Sequence, residues 1–174
     1  MKRVKIVCIA LILGIVMIFG VVGCNDDSQS QINGEDYSVV YEGASYNWSA
    51  DRKDFVGICN SNNDLIKLCT KNNCGFYDEE SSDYESVMGK KVREYTKEFF
   101  KSKSLVVCAF TESSYSGALK VLSLEVIEDT LTLNIKRPFT GTAEDVVVCW
   151  GFIIEVNKSI VSGVKSSTYI VTSI

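Results

Sequence analysis

The strongest constraint on the fold is an alternation of apolar and polar residues in the C-terminal part of the chain. The segment Leu131–Lys136 reads Leu-Thr-Leu-Asn-Ile-Lys, with an apolar residue at every second position. Successive side chains of a strand point to opposite faces of a sheet, so this pattern is typical of a strand with one buried and one solvated face. Other β-rich segments surround it: "SLVVCAF", "GALKVLSLEVI", "DVVVCWGFIIEV" and "SSTYIVTSI". Together they predict a mostly antiparallel β-sheet.

The residues before this sheet predict a strand followed by a helix. Phe55–Cys59 is a short apolar run of the kind that forms a buried strand. Ser61 follows it, with Asp64 three residues further on, which is the spacing of a capping box at a helix N-terminus. We therefore expect a helix to begin directly after Ser61.

A second helix is predicted over Asp83–Ser102. Ser82 and Glu85 repeat the capping spacing. Apolar residues then recur at helical spacing, and they are Tyr84, Met88, Val92, Tyr95 and Phe99. The predicted fold is an α+β domain, in which an N-terminal strand and two helices are followed by a mostly antiparallel β-sheet.

The N-terminus has the pattern of an export signal. Lys2, Arg3 and Lys5 precede the uncharged 17-residue run Ile6–Val22, which is short for a membrane span of about 20 residues. The sequence Val21-Val22-Gly23-Cys24 resembles the lipobox of bacterial lipoproteins. The resemblance implies cleavage before Cys24, a lipid on its sulfur, and a domain held at the extracytoplasmic face of the cell membrane. An uncleaved membrane anchor with an incidental cysteine is the alternative interpretation.

Composition divides the chain into three parts. Residues 1–23 are the predicted lipoprotein signal peptide, residues 24–36 are rich in Ser, Asn, Gln and Asp and predict a flexible tether, and residues 37–174 predict a single α+β domain. The chain from residue 24 onward has 15 basic and 22 acidic residues, a formal charge of −7. That charge opposes binding to nucleic acid, so we expect no nucleic-acid partner.

The sequence also limits the chemistry that the chain can perform. It contains no histidine, which excludes His-assisted nucleophiles and His metal sites. The acidic stretch "YDEESSDYE" lacks the spacing and the glycine of an EF-hand, so a solvated acidic surface is preferred over a Ca²⁺ site. We therefore expect no enzyme activity, no cofactor and no metal ion.

Five cysteines remain after the predicted lipid site. Cys59, Cys108 and Cys149 lie in predicted strands, where cysteine is usually a small buried apolar residue. Cys69 and Cys74 are five residues apart and could form a disulfide. No Cys-x-x-Cys unit is present, which disfavours a redox or zinc role.

One region resembles a known family. From Phe99 to Val161 the order is a helix ending in Phe-Phe, a Leu-Val-Val strand, a small-residue turn with Ser116 and Gly117, a β-hairpin and a long aliphatic strand. This layout resembles the C-terminal domain of PrcB-type protease-complex lipoprotein subunits and small lipoproteins of Gram-positive bacteria. The resemblance implies a non-enzymatic accessory domain that binds an extracytoplasmic protein.

A second segment could contact that unknown partner. Pro138 cannot donate to a strand ladder, so Arg137–Glu144 is expected to leave the sheet as a loop that displays Arg137 and Phe139. The segment "KRPFTGTAED" is similar to the Arg-Pro-aromatic loop of chagasin-type cysteine-protease inhibitors. Two alternatives to the accessory role therefore stay open at this point, a protease inhibitor of that type and a lipoprotein that binds a small molecule.

Overall fold

The structure is a computed structural model that describes residues 29–45, 53–113, 117–138 and 147–173. These residues form eight strands and two α-helices. The strands are β1 (Gln29–Gln31), β2 (Tyr37–Ser45), β3 (Phe55–Cys59), β4 (Lys103–Ser113), β5 (Lys120–Ile127), β6 (Thr130–Arg137), β7 (Val147–Asn157) and β8 (Ser166–Ser173). The helices are α1 (Asn62–Lys71) and α2 (Val87–Arg93), with short 3-10 helices at Gly75–Tyr77 and Phe99–Lys101.

The strands form two four-stranded sheets. The central sheet has the order β2-β7-β4-β3 and is antiparallel throughout. The outer sheet has the order β1-β5-β6-β8, in which β8 runs parallel to β6 and the other pairs are antiparallel. The α+β class is thus confirmed in its coarse form, although strands predominate and the expected single sheet is two sheets.

The central sheet is buried on both faces. Its inner face packs against the outer sheet through Val106, Phe110, Phe152 and Ile154, and Leu131, Leu133 and Ile135 of β6 are fully buried against it. The alternation that predicted β6 is therefore confirmed. The opposite face, with Leu105, Val107 and Ile153, packs under the two helices. Burial on both faces explains why β4 and β7 are continuous apolar runs.

Helix α1 begins where the sequence predicts. The Ser61 hydroxyl accepts a hydrogen bond from the Asp64 backbone N–H at 3.1 Å, and the Asp64 carboxylate accepts one from the Asn60 N–H at 3.2 Å. These contacts satisfy N–H groups that have no partner within the helix. Strand β3 is confirmed with the predicted bounds Phe55–Cys59.

The prediction of one long helix over residues 83–102 is wrong. Helix α2 has seven residues and its N-cap is Ser86, whose hydroxyl accepts from the Gly89 N–H at 2.9 Å. Tertiary contacts end it early, because the Tyr95 carbonyl accepts from the Asn62 side chain at 2.9 Å and the Tyr95 hydroxyl donates to Glu155 at 3.2 Å. The predicted apolar residues still face the core, since Met88, Val92 and Tyr95 are buried.

The ordered domain begins earlier than residue 37. Gln29–Gln31, expected in the flexible tether, pairs with β5, and the Ile32 N–H continues the pairing with a 3.1 Å hydrogen bond to the Leu124 carbonyl. Ile32 is buried in the core between the sheets. One apolar residue in a polar stretch therefore holds β1 on the sheet. Among the described residues, no helix has the length and apolar content of a membrane span.

The two ends of the sandwich differ. At one end, named here the turn end, the residues Glu128 and Asp129 connect β5 to β6, and Gln29 lies opposite Ile127. The other end is named the loop end. There Ser113 of β4 lies opposite Val147 of β7, and Arg137 of β6 lies beside Ser173 of β8. The strand termini that flank residues 46–52, 114–116 and 139–146 all lie at the loop end.

Candidate functional site

The fold brings the two predicted partner segments to the same place. Gly117 lies three residues before β5 begins, and Pro138 directly follows β6. Both strands have these termini at the loop end, so segments about 20 residues apart in sequence share one end of the sandwich. Gly117 has φ of 137°, a backbone conformation that L side chains rarely adopt. Ser116 and Phe139 lie outside the described residues, as does Cys24.

Arg137 is not displayed on a loop, as the sequence analysis expected. It is the last residue of β6, and its guanidinium Nη2 donates to both carboxylate oxygens of Glu112 on β4. Its Nη1 also donates to the Ser173 hydroxyl at 3.4 Å. The side chains of Arg137 and Glu112 are 34% and 17% exposed. Arg137 follows Leu133 and Ile135 on the inward face of β6, so its guanidinium lies at the end of the core. A partly buried positive charge at that place requires a negatively charged partner.

A second ion pair joins the two sheets at the loop end. The Lys120 ammonium on β5 lies 2.9 Å from Glu42 on β2. The other carboxylate oxygen of Glu42 accepts from the Val121 backbone N–H at 3.2 Å. The register shift of β5 lies directly beyond Val121. Glu42 therefore fixes both a side chain and the backbone of the outer sheet.

A third contact lies at the edge where β3 and β8 approach each other. One oxygen of the Asp54 carboxylate accepts from the Thr111 N–H and hydroxyl, each at 2.9 Å, and the other accepts from the Tyr169 hydroxyl at 3.4 Å. The Tyr169 ring stacks on Phe110, with ring centroids 4.7 Å apart. Burial, followed by the nearby Asp54 charge, raises the pKa of Tyr169 to about 12.

Sequence reasoning did not find Glu42, Asp54, Glu112 or Tyr169. Glu112 and Arg137 are 25 residues apart, Lys120 and Glu42 are 78 apart, and Tyr169 and Asp54 are 115 apart. Each pair joins the two sheets, so no local spacing could indicate it. Oppositely charged residues on two strands do not predict an ion pair until the pairing and register of those strands are known.

The rim of this end also has an exposed apolar residue. Val147 begins β7 and is 62% exposed. Along the edge where β3 and β8 approach each other, an open depression of about 400 Å³ is lined by Asp54, Phe55, Lys71, Asn72 and Tyr169, among others. Val147 and this depression provide apolar and polar contact surface outside the ion pairs.

The acidic stretch does not gather its carboxylates around one point. The Asp83 carboxylate accepts from the Gly75 N–H at 2.9 Å, that of Asp78 accepts from the Glu80 N–H at 3.1 Å, and that of Glu85 pairs with Lys90 at 2.8 Å. Within the described ranges, no group of three Cys, Asp or Glu side chains is placed to hold a metal ion.

The five cysteines of the described chain are all buried, and none is in a disulfide. Burial of Cys59, Cys108 and Cys149 is thus confirmed, and the pairing considered for Cys69 and Cys74 is not present. Burial, and secondarily the nearby Asp64 charge, raises the pKa of the Cys59 thiol to about 12. A thiol held neutral in this way is a poor nucleophile and metal ligand.

No family model, no curated protein and no solved structure matches the chain significantly. The similarity of residues 99–161 to PrcB-type subunits therefore depends on the sequence layout alone.

Proposed function

We propose that this chain is an extracytoplasmic lipoprotein, anchored to the cell membrane by a lipid on Cys24, whose domain binds another protein without catalysis. The loop end of the sandwich is the proposed contact surface. Support for an accessory role in a surface protease or envelope complex comes from the sequence layout between residues 99 and 161.

The convergence of chain connections at the loop end carries the proposal. Connections that leave a rigid β-sandwich at one end are a common place for binding residues, because the strands position them while their sequences can vary. Here the ends of β2, β4 and β6 and the starts of β3, β5 and β7 all lie at that end. The two segments that the sequence analysis singled out flank it from both sheets.

The ion pairs support the proposal in a different way. Glu112 and Glu42 already bind Arg137 and Lys120, so these charges hold the two sheets in register. A partner would then meet the partly buried Gly117 and Pro138 and the exposed Val147 on a scaffold that is already fixed. Such preorganisation lowers the entropy lost on binding.

Site-specific photocrosslinking in native membranes tests this function. A benzophenone amino acid replaces Val147 at the loop end, and a matched variant carries it at Ile127, which is 41% exposed at the turn end. We expect one reproducible protein adduct from position 147 and none from position 127. Mass spectrometry identifies the adduct, and purified soluble domain should compete with its formation.

Equal adducts from both positions, or no adduct from position 147, would contradict the proposed contact surface. If purified soluble domain does not decrease the yield of the adduct from position 147, the crosslinked protein is a nonspecific neighbour and the proposed contact is contradicted. If the domain instead binds a small molecule, a low-molecular-weight compound should copurify with it. Adding that compound back to the purified domain should raise its melting temperature.

A further inference from the structure

We infer that the turn end of the sandwich faces the membrane and that the loop end points away from it. The inference depends on the proposed lipid at Cys24. It follows from where the ordered chain begins, how far the preceding residues can reach, and how charge is distributed between the two ends. The partner of the turn end is the headgroup surface of the bilayer that holds the anchor.

The chain between the lipid site and the fold is short. Five residue steps separate Cys24 from Gln29, where β1 begins. A fully extended chain spans at most about 3.6 Å per residue, so the Cα of Gln29 lies within about 18 Å of the Cα of Cys24. Gln29 is not itself part of a loose tether, because it pairs with Ile127 and the next buried residue is Ile32.

This reach excludes the inverted orientation. Gln29 lies level with Ile127, and β5 continues seven residues from there to Lys120 at the loop end. Seven residues of strand span about 23 Å. If the loop end rested on the membrane, Gln29 would be farther from the surface than about 18 Å of chain can reach. The direction of β1 agrees, since its N-terminus is the terminus nearest to the turn end.

The charge of the two ends fits the same orientation. At the turn end, lysines and carboxylates are paired: Lys165 with Asp129 at 2.9 Å, Lys101 with Glu98 at 2.7 Å and Lys103 with Glu155 at 2.8 Å. Each of these pairs offsets one carboxylate, while Glu35, Asp36 and Glu128 add negative charge and Lys158 adds positive charge at the same end. Such pairing reduces the repulsion between this end and an anionic surface.

The densest run of acidic residues lies in the helical layer. Residues 78–85 contain five acidic residues and no basic ones, and Glu85 pairs with Lys90. They precede α2, whose Met88 lies against Gly151 in the half of the central sheet that is nearer the loop end. An orientation with the turn end on the bilayer therefore keeps the acidic segment away from anionic headgroups.

Fluorescence quenching in proteoliposomes tests the orientation on the full chain. Single cysteines replace Ser162 and Ile127 at the turn end, Val147 at the loop end and Ile170 on the solvent face of the outer sheet. A thiol-reactive fluorophore reports each position, and the native cysteines of the domain should not react because they are buried. Lipids with a nitroxide on the headgroup quench only nearby fluorophores.

We expect several-fold stronger quenching at positions 162 and 127 than at positions 147 and 170. Quenching at 147 equal to that at 162 would overturn the inference, and strongest quenching at 170 would show that the domain lies on its outer sheet instead. The two turn-end positions serve as independent reporters, so one poorly folded variant does not remove the test.

Two controls separate this inference from the proposed function. Intact mass of the same sample shows whether Cys24 has a lipid: if it has none, both the anchor and the orientation are wrong, and if it has one while the quenching pattern differs, only the orientation is wrong. Inserting 20 Gly and Ser residues between Asp27 and Ser28 gives a flexible reach of about 27 Å. The difference between positions 162 and 147 should then shrink, and an unchanged difference would show that tether length does not set the orientation.

Discussion

The turn end and the loop end of the sandwich are held together by different interactions. At the turn end, neighbouring connections bind each other through backbone groups: the Lys165 N–H donates to the Asp129 carbonyl at 2.8 Å, and the Lys158 N–H donates to the Ser102 carbonyl at 3.1 Å. At the loop end, side-chain charges such as Arg137 and Glu112 join the two sheets. Backbone contacts depend little on residue identity, whereas each side-chain contact can be removed by one substitution.

This difference separates two tasks. At the turn end, where two residues join β5 to β6, the chain from Cys24 enters the fold at β1. The loop end has side chains that hold the strand ends in place while the connections beyond them can vary in sequence, as binding surfaces on rigid scaffolds require. The following substitutions test this comparison.

Substituting the proposed lipid site should detach the domain from the membrane, so that neither end keeps a fixed position relative to the bilayer. In Cys24→Ser the sulfur that would bear the lipid is absent, and each buried methylene of a lipid chain contributes about 0.8 kcal/mol to membrane binding. We expect nearly all of the protein to leave the membrane fraction, as measured by fractionation and by intact mass. The control Asp27→Ser keeps the thiol and should stay in the membrane. Membrane retention of Cys24→Ser would show that residues 6–22 act as an uncleaved anchor.

Weakening the attachment of β1 should loosen the turn end. Ile32→Ala removes a buried side chain from the core between the sheets and should lower the free energy of unfolding by about 2 kcal/mol, near the low end for such truncations because β1 is a short edge strand. Urea denaturation of the soluble domain measures this. The exposed neighbour Asn33→Ala should change stability little. Equal stability of the two variants would mean that β1 does not hold the domain in place.

The two ends should respond differently to loss of one ion pair each. Glu112→Gln leaves the partly buried guanidinium of Arg137 without its anion and should lower the free energy of unfolding by about 1–2 kcal/mol. Asp129→Asn at the turn end breaks a pair whose side chains are 79% and 42% exposed, so its loss of stability should be much smaller. Chemical denaturation compares both variants under one buffer. A greater loss from Asp129→Asn would reverse the comparison.

The ends should also lose stability at opposite extremes of pH. Burial raises the pKa of Tyr169, whose hydroxyl reaches Asp54 beside the loop-end start of β3, to about 12, so its contribution is complete below the unfolded value near 10 and is lost as pH rises through 12. The hydrogen bond from Lys165 lowers the pKa of Asp129 at the turn end, so that contribution is lost as pH falls through the lowered value. Tyr169→Phe should reduce the alkaline loss of stability without abolishing it, because burial also raises the pKa of Tyr77 and of Tyr95. Asp129→Asn should reduce the loss on the acid side. Melting temperatures across pH measure both.

Local patterns predicted much of the secondary structure. Ser61 and Asp64 marked the start of α1, and alternation in Leu131–Lys136 identified both β6 and its buried face, because these signals depend on residues a few positions apart. The same reasoning gave the wrong length for α2, where contacts from Asn62 and Glu155 to Tyr95 replace the continuation of the helix. Tertiary hydrogen bonds outweighed helical periodicity there.

Only part of the candidate site could be predicted from the sequence. Pro138 correctly marked the end of a strand, since proline cannot continue the hydrogen-bonded ladder. Arg137 was expected on the loop, yet its side chain turns toward Glu112 on another strand. The alternation in β6 predicts that Arg137 lies on its inward face. That Glu112 lies opposite depends on how the two sheets pack.

Residues close together in the chain fixed the apolar alternation of β6, the start of α1 at Ser61 and the burial of the strand cysteines, because each depends on the chemistry of neighbouring residues. Tertiary structure alone decided that the strands divide into two sheets, that Gln29–Gln31 belongs to one of them, and that the segments at Gly117 and Pro138 share one end. The reason is that strand pairing joins residues far apart in sequence, and its choice depends on the packing of the whole core.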